Sequence, residues 1–403
     1  MTPASSSAVP APAGAAPHAP VRQLDALTSL RFLAAMLVVA YHYSTVHFGD
    51  APKTGLPSLG YTGVSFFFML SGFILAYNYR NLDFSLARNR RRFYWARIAR
   101  IYPVYLASLL LALPFFWLVW RSIPSPTLQF LYGSSGILAP LGLHSWVPGA
   151  ACGLNCPSWS ISTEFFFYLV FPFVFPAIYL RPGWWTAACL VLWIAVIAGC
   201  SLLWSRYSHG SSLMGDLHLD PETEIAAQFV KYFPLVRLPE FLAGIVLFAG
   251  WEKFGSRFSN GMLLAAFAAA AALLASIWNA LPEVALHDGL TALAWLPLIL
   301  LGANLKRGPL VWPVMLFLGR ISFSLYLTHT TVLSVMRSLD KHLLGGALLA
   351  ASPWCLTIAS TAAAIGVAAL LFELVEDPAR RYIMARRSQS AAERAVTKVA
   401  HQA

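Results

Sequence analysis

The sequence predicts an all-α, polytopic transmembrane helical bundle of about ten spans with both termini cytoplasmic. Three observations predict it. Of the 403 residues, 58% are hydrophobic and only 11% charged, whereas a soluble domain is about a quarter charged, so too few polar side chains remain to cover a water-facing surface. Mean hydropathy is +0.63. Apolar runs of about 20 residues, the length that carries a helix across a bilayer, recur along the chain.

Taken in order, positions 1–23 are rich in Ala, Pro and Ser and lack a basic segment followed by an apolar one. They read as a disordered cytoplasmic tail and not as a secretory signal. Apolar runs then predict spans near 26–46, 60–79, 101–120, 158–179, 183–205, 230–251, 260–280, 288–304, 313–336 and 347–374. The run 127–146 is apolar but broken by Gly133, Gly136, Pro140 and Gly142. Loop charge decides its placement. Arg88, Arg90, Arg91, Arg92, Arg97 and Arg100 crowd the link after the second span, Lys306 and Arg307 follow the eighth, and Arg380, Arg381, Arg386 and Arg387 follow the last. The link 206–225 carries Asp216, Asp220, Glu222 and Glu224 instead. If 127–146 does not span, every strongly basic link falls on one side with both termini, as the positive-inside rule requires. The segment 127–157 is therefore expected outside, as a re-entrant or surface element. The membrane domain is placed at 24–382, followed by a basic cytoplasmic tail over 383–403.

The formal charge of +11 belongs to those short links, which favours topology over nucleic-acid binding; no basic patch interleaved with aromatics is present. None of the five cysteines forms a metal-type CxxC pair, and no metal is expected. Cys152 and Cys156 share a Gly/Pro-rich loop, where a small disulfide and two free thiols are both open. No soluble-domain-sized loop exists, so any chemistry must use groups within or at the edges of the bundle. No internal repeat is visible, which weighs against an inverted-repeat transporter.

Ionisable residues inside spans are costly and usually face the protein interior. The first span holds Arg31 and His42, about 16 Å apart along a helix and close to three full turns, so both project from one face. Arg31 lies toward the cytoplasmic end and His42 toward the outer end. Snorkelling of Arg31 and an interfacial His42 are the bland readings. Ser65, Ser71 and Gly72 interrupt an aromatic block in the second span, first of all as helix-packing residues. Arg97 and Arg100, at i and i+3 among Tyr94, Trp95 and Tyr102, share a face and can clamp phosphates. Glu164 has no cation near it in sequence, and its expected depth matches that of His42, so a Glu164–His42 pair is expected; a protonated carboxyl in a structural hydrogen bond competes. Arg237 and Glu240, at i and i+3, are expected to pair structurally. Ser322, Ser324, Tyr326 and His329 are buried polar groups of the ninth span, and Glu376, just before Asp377-Pro378, can pair with the cytoplasmic arginines.

In this order the motifs resemble the acyltransferase-3 family of integral membrane O-acyltransferases over roughly residues 24–382. The R-x10-H element stands at Arg31 and His42, the Ser-Gly-Phe at Ser71, Gly72 and Phe73, and the RxxR at Arg97 and Arg100 with Tyr102-Pro103 after it. Trp-Ser-x-Ser-x-Glu falls at Trp159, Ser160, Ser162 and Glu164, Arg-x-x-Glu-Phe at Arg237, Glu240 and Phe241, and the late Ser/Tyr/His element at Ser322, Tyr326 and His329. The chain departs at Phe165, where relatives often carry Gln. It is similar to the stand-alone subgroup without an appended esterase-like domain. The resemblance implies an acyl-CoA co-substrate, usually acetyl-CoA, and a hydroxyl acceptor on a surface or exported bacterial glycan or lipid-linked sugar, at the inner membrane. On that resemblance His42, Glu164 and Arg31 are the catalytic candidates, with His42 as base. Arg31, Arg97, Arg100 and Tyr102 are candidates for the CoA moiety, and Trp159, Ser162, Tyr326 and His329 for the acceptor. A small-molecule acceptor such as a macrolide, a lipid acceptor and, in a different class, a proton-coupled transporter using His42, Glu164 and His329 remain alternatives.

Overall fold

The computed structural model describes residues 23–48, 56–214 and 218–386. The expected N-terminal tail up to position 22, the C-terminal tail beyond position 386 and Asp216 lie outside the described residues.

The described chain is helical, with no strand among the described residues. Helix α1 (Asp25–Phe48) is followed by α2 (Gly63–Tyr79), the long α3 (Ala87–Ser122), a short α4 (Pro126–Leu138), α5 (Trp159–Leu180) and α6 (Pro182–Tyr207). Then come α7 (Pro221–Tyr232), α8 (Pro234–Phe254), α9 (Asn260–Ile277), a one-turn α10 (Glu283–Ala285), α11 (Ala292–Asn304), α12 (Pro313–Leu343), the short α13 (Ala347–Ala351) and α14 (Pro353–Leu371). Their starts follow local chemistry. Ser125, Ser259 and Ser352 cap α4, α9 and α14 through their side chains. Asp220 caps α7 by accepting from the Thr223 N–H at 2.8 Å. Such caps satisfy donors that the first helical turn leaves open. The Thr223 amide and hydroxyl hold the Asp220 carboxyl below its ordinary range.

Nine helical segments among the described residues are long and apolar enough to cross a membrane. They correspond in order to nine of the ten expected spans. The remaining expected span, 313–336, is α12, which is not among the nine. Its buried face carries Ser322, Ser324, Tyr326, Thr328 and His329, and it packs along both α1 and α14. A helix sheltered by spanning neighbours can hold polar groups that lipid would reject.

Helix α2 is the most buried of the nine and α9 the least. The centre is aromatic: Phe73, Phe93, Phe167, Phe171, Phe241 and Phe248 are all fully buried. Two glycines set the closest crossing, between α2 and α8. A Cβ on Gly72 would stand 2.2 Å from the Phe241 carbonyl oxygen, and one on Gly244 would stand 1.9 Å from that of Met69. Small residues at a crossing allow this backbone approach, as expected for the Ser-Gly interruption of the second span.

The segment 127–146 does not span. Helix α4 has 13 residues, about 20 Å of helix against the ~30 Å of a hydrocarbon core. It folds back along α3, where the Tyr102 hydroxyl donates to Pro140 O at 2.5 Å and Tyr105 donates to Ala139 O. The chain then runs through a buried, irregular stretch, in which Cys152 and Cys156 are joined by a disulfide, before α5 begins. Irregular backbone at membrane depth must have its polar groups met by protein. Gln228 accepts from Gly149 N and Ala151 N at 2.9 and 3.1 Å. Asn155 Nδ2 donates to Leu327 O at 2.9 Å, and Ser145 donates to Trp159 O at 2.7 Å. The segment is buried against the bundle and non-spanning.

Candidate active site

A cavity of about 120 Å³ lies among α1, α2, α3, α5 and α12. Arg31, Arg97 and Arg100 line it together with Ser71, Glu164 and Tyr168, while Val64, Phe67, Phe68, Ile161 and Tyr326 supply its apolar wall. The three arginines come from two helices, yet they converge because Arg97 and Arg100 share a face of α3 that looks toward α1.

The arginines differ in how far the protein neutralises them. Arg100 donates to Glu376 Oε1 at 2.5 Å, and Ser324 donates to the other carboxylate oxygen at 2.8 Å. Arg97 donates to the Tyr79 hydroxyl at 3.3 Å and lies over the Tyr79 and Tyr168 rings; its Nε is buried without a partner. Arg31 makes no hydrogen bond or ion pair with any described residue, although it lines the cavity. A guanidinium presents five donors in a fixed fork, so Arg31 and Arg97 offer unsatisfied cationic donors to whatever enters.

Glu164 accepts from Ser71 Oγ at 2.9 Å and from the Tyr168 hydroxyl at 2.5 Å, both on Oε1. The expected pair between Glu164 and His42 is not formed. His42 meets His329 instead, with Nδ1 and Nε2 3.2 Å apart and ring centroids 5.0 Å apart. The sequence placed His42 and Glu164 at similar depth, but helix rotation turns Glu164 toward α2 and its own next turn. Tyr168 was legible as the i+4 neighbour of Glu164; Ser71 had been read for packing alone.

The histidine pair adjoins the cavity without lining it. His329 packs on Tyr326 with centroids 6.0 Å apart, and Tyr326 packs on Phe67 at 5.8 Å. Those two rings form the wall at that end. The Tyr326 hydroxyl donates to Pro157 O, at the end of the non-spanning segment, at 3.0 Å.

Three further candidates stand elsewhere. Tyr102 is two residues beyond Arg100 and Ser162 two before Glu164, and residues at i and i+2 do not share a helix face. Both line a groove on the far side of the α3–α5 contact, with Ile98, Leu141, Leu143 and Leu169. Ser162 donates to Gly142 O at 2.7 Å, so it and Tyr102 hold the non-spanning segment. Trp159 is buried against Tyr232 and Phe68, at centroid distances of 4.7 and 5.8 Å.

Arg237 sits in a separate buried cluster. It pairs with Glu240, as expected, at 2.9 Å. It also pairs with Asp288 at 2.8 Å and donates to Ser65 Oγ at 2.9 Å and to His287 O at 2.9 Å. Asp288 and His287 were missed in the sequence because they lie some fifty positions away, on an irregular turn before α11. No group of three or more potential metal ligands occurs among the described residues.

A helical membrane bundle with an arginine-lined cavity bordered by a histidine pair is the class of protein that this geometry defines. The acyltransferase-3 model, described as an acyltransferase domain, matches residues 24–373, and the chain belongs to that family of membrane acyltransferases. It is similar to "Acyltransferase MdmB" of Streptomyces mycarofaciens, with 31% identity over 391 residues, 91% of this chain and 94% of the relative. A shorter match, 29% identical over 159 residues, covers 36% of this chain and 80% of "Protein 2 in picA locus" of Rhizobium radiobacter. No solved structure matches the chain.

Proposed function

We propose that the protein moves an acyl group, acetyl in the first instance, from cytoplasmic acyl-CoA to a hydroxyl of a surface or exported bacterial glycan at the inner membrane. The observation that carries this reading is the cavity itself. Its cationic end holds two arginines whose donors the protein leaves open, and its other end stops at the Tyr326–Phe67 wall beside His42 and His329. Arg31 and Arg97 receive anionic groups of the donor. At about 120 Å³ the cavity takes only part of the donor, since whole drug-sized ligands need roughly 300 Å³ or more. The basic link around Arg88–Arg92 supports a cytoplasmic position for that end, where CoA is found.

His42 then acts as general base past the wall. The acceptor hydroxyl attacks the thioester carbonyl and its proton goes to His42 Nε2. The new C–O bond forms, the C–S bond breaks, and the departing sulfur takes the proton back, leaving an ester and CoA thiol. Glu164, held by Ser71 and Tyr168 on one oxygen, serves the cavity and not the imidazole.

Purified protein incubated with acetyl-CoA and a panel of glycan, lipid and macrolide alcohols tests this through free-thiol release. Acceptor-dependent release should fall by roughly 10²–10⁴-fold in His42→Ala, the range typical of general-base catalysis. Undiminished release in that variant would remove His42 as base. No release from any acyl-CoA would remove the donor assignment.

A further inference from the structure

We infer that His329 is a positioning residue of the site: its Nε2 shares the His42 Nδ1–H with Val38 O and steadies the imidazolium that His42 becomes. The inference rests on the acyl-transfer reading above for its chemistry, but its geometry stands apart from it.

The proton positions follow from the carbonyls. His42 Nδ1 lies 2.9 Å from Val38 O, and a carbonyl oxygen only accepts, so Nδ1 carries the hydrogen and Nε2 carries a lone pair. His329 Nδ1 lies 2.7 Å from Tyr326 O, so it too carries its hydrogen on Nδ1. A neutral His329 therefore presents a lone pair at Nε2, 3.2 Å from His42 Nδ1, and the single Nδ1–H is shared between Val38 O and that lone pair. With both rings neutral, His42 donates and His329 accepts. His42 Nε2 is left with no hydrogen-bond partner among the described residues, which is the state a base requires.

The same contact changes during reaction. When Nε2 of His42 takes the acceptor's proton, Nδ1–H becomes the donor of a cation, and its bond to His329 becomes charge-assisted and stronger. In hydrolase triads a carboxylate does this work. Here the neighbourhood is a fully buried stretch of α12, where a second imidazole avoids the cost of burying an anion. His329 is fixed from both sides, because its own carbonyl accepts from the Tyr43 hydroxyl at 2.9 Å and Tyr43 belongs to the helix that carries His42.

Glutamine places its amide oxygen near the position of a histidine Nε2, whereas asparagine mimics Nδ1. His329→Gln should therefore keep kcat within about threefold of wild type, and His329→Asn and His329→Leu should lose roughly 10²-fold, all with unchanged KM for acetyl-CoA. Wild-type kcat in His329→Leu, alongside loss of activity in His42→Ala, would overturn the inference and leave the base assignment standing. Absence of turnover in the wild type would instead strike the acyl-transfer reading. Nitrogen spectra of ring-¹⁵N-histidine protein, which need no turnover and no variant, should show His42 as the Nδ1–H tautomer; the Nε2–H tautomer would overturn the inference whatever the activity shows.

Discussion

Two arginine clusters inside the same bundle are built on opposite terms. Arg237 is fully buried and meets two carboxylates, Glu240 and Asp288, with Ser65 and the His287 carbonyl taking further donors. Arg31 and Arg97 line a cavity, and the protein gives Arg31 no anion among the described residues. Arg100 stands between these cases, paired with the single carboxylate of Glu376. A charge that is answered internally ties helices together; a charge that is left unanswered, at the cost of keeping it in the membrane, is available for a ligand. Arg237 has two ion-paired carboxylates, Arg100 one, and Arg31 none among the described residues, although Glu164 lines the same cavity.

That comparison can be broken by removing the arginines one at a time. The largest effect is expected for Arg237→Ala, which strands two buried carboxylates. Removing one partner of a buried ion pair typically costs about 3–5 kcal/mol, so the variant should show a large fall in Tm in detergent. A Tm within a few degrees of wild type would mean that the cluster does not hold α8 to α2 and the turn before α11. Arg100→Ala strands the single carboxylate of Glu376 and should destabilise less. Adding Glu376→Gln to it should restore most of the lost Tm, because no unpaired charge remains, while donor affinity stays weakened. Recovery of both together would reduce Arg100 to a structural role.

The helices were legible because crossing a bilayer needs only a one-dimensional pattern, about 20 apolar residues between polar links. The expected span 313–336 is a helix, α12, but its polar buried face keeps it out of the nine segments apolar enough to cross a membrane, and the charge of the basic links kept 127–146 from being counted as another. The buried path of that segment was not legible, since it depends on Tyr102, Ser162, Gln228 and Asn155 meeting backbone groups far away in sequence. Within the site, spacing along one helix was informative. It paired Arg97 with Arg100 and Arg237 with Glu240, and the same rule separates Tyr102 from Arg100 and Ser162 from Glu164. Contacts between helices were not legible, because they depend on rotation and depth together. Depth alone suggested Glu164 for His42, whereas rotation gives Glu164 to Ser71 and Tyr168 and brings His329 from α12 to the imidazole.

Arg31 carries the central claim, as a cation with no ion-pair partner among the described residues. The most direct measurement is a titration of purified wild type and Arg31→Ala with acetyl-CoA, with Tm recorded for both. A lost charge-assisted contact is worth about 1.5–3 kcal/mol, so affinity should fall by roughly ten- to a hundredfold while Tm stays unchanged. Unchanged affinity, or a loss of Tm like that of Arg237→Ala, would contradict the assignment of this cavity to an anionic donor.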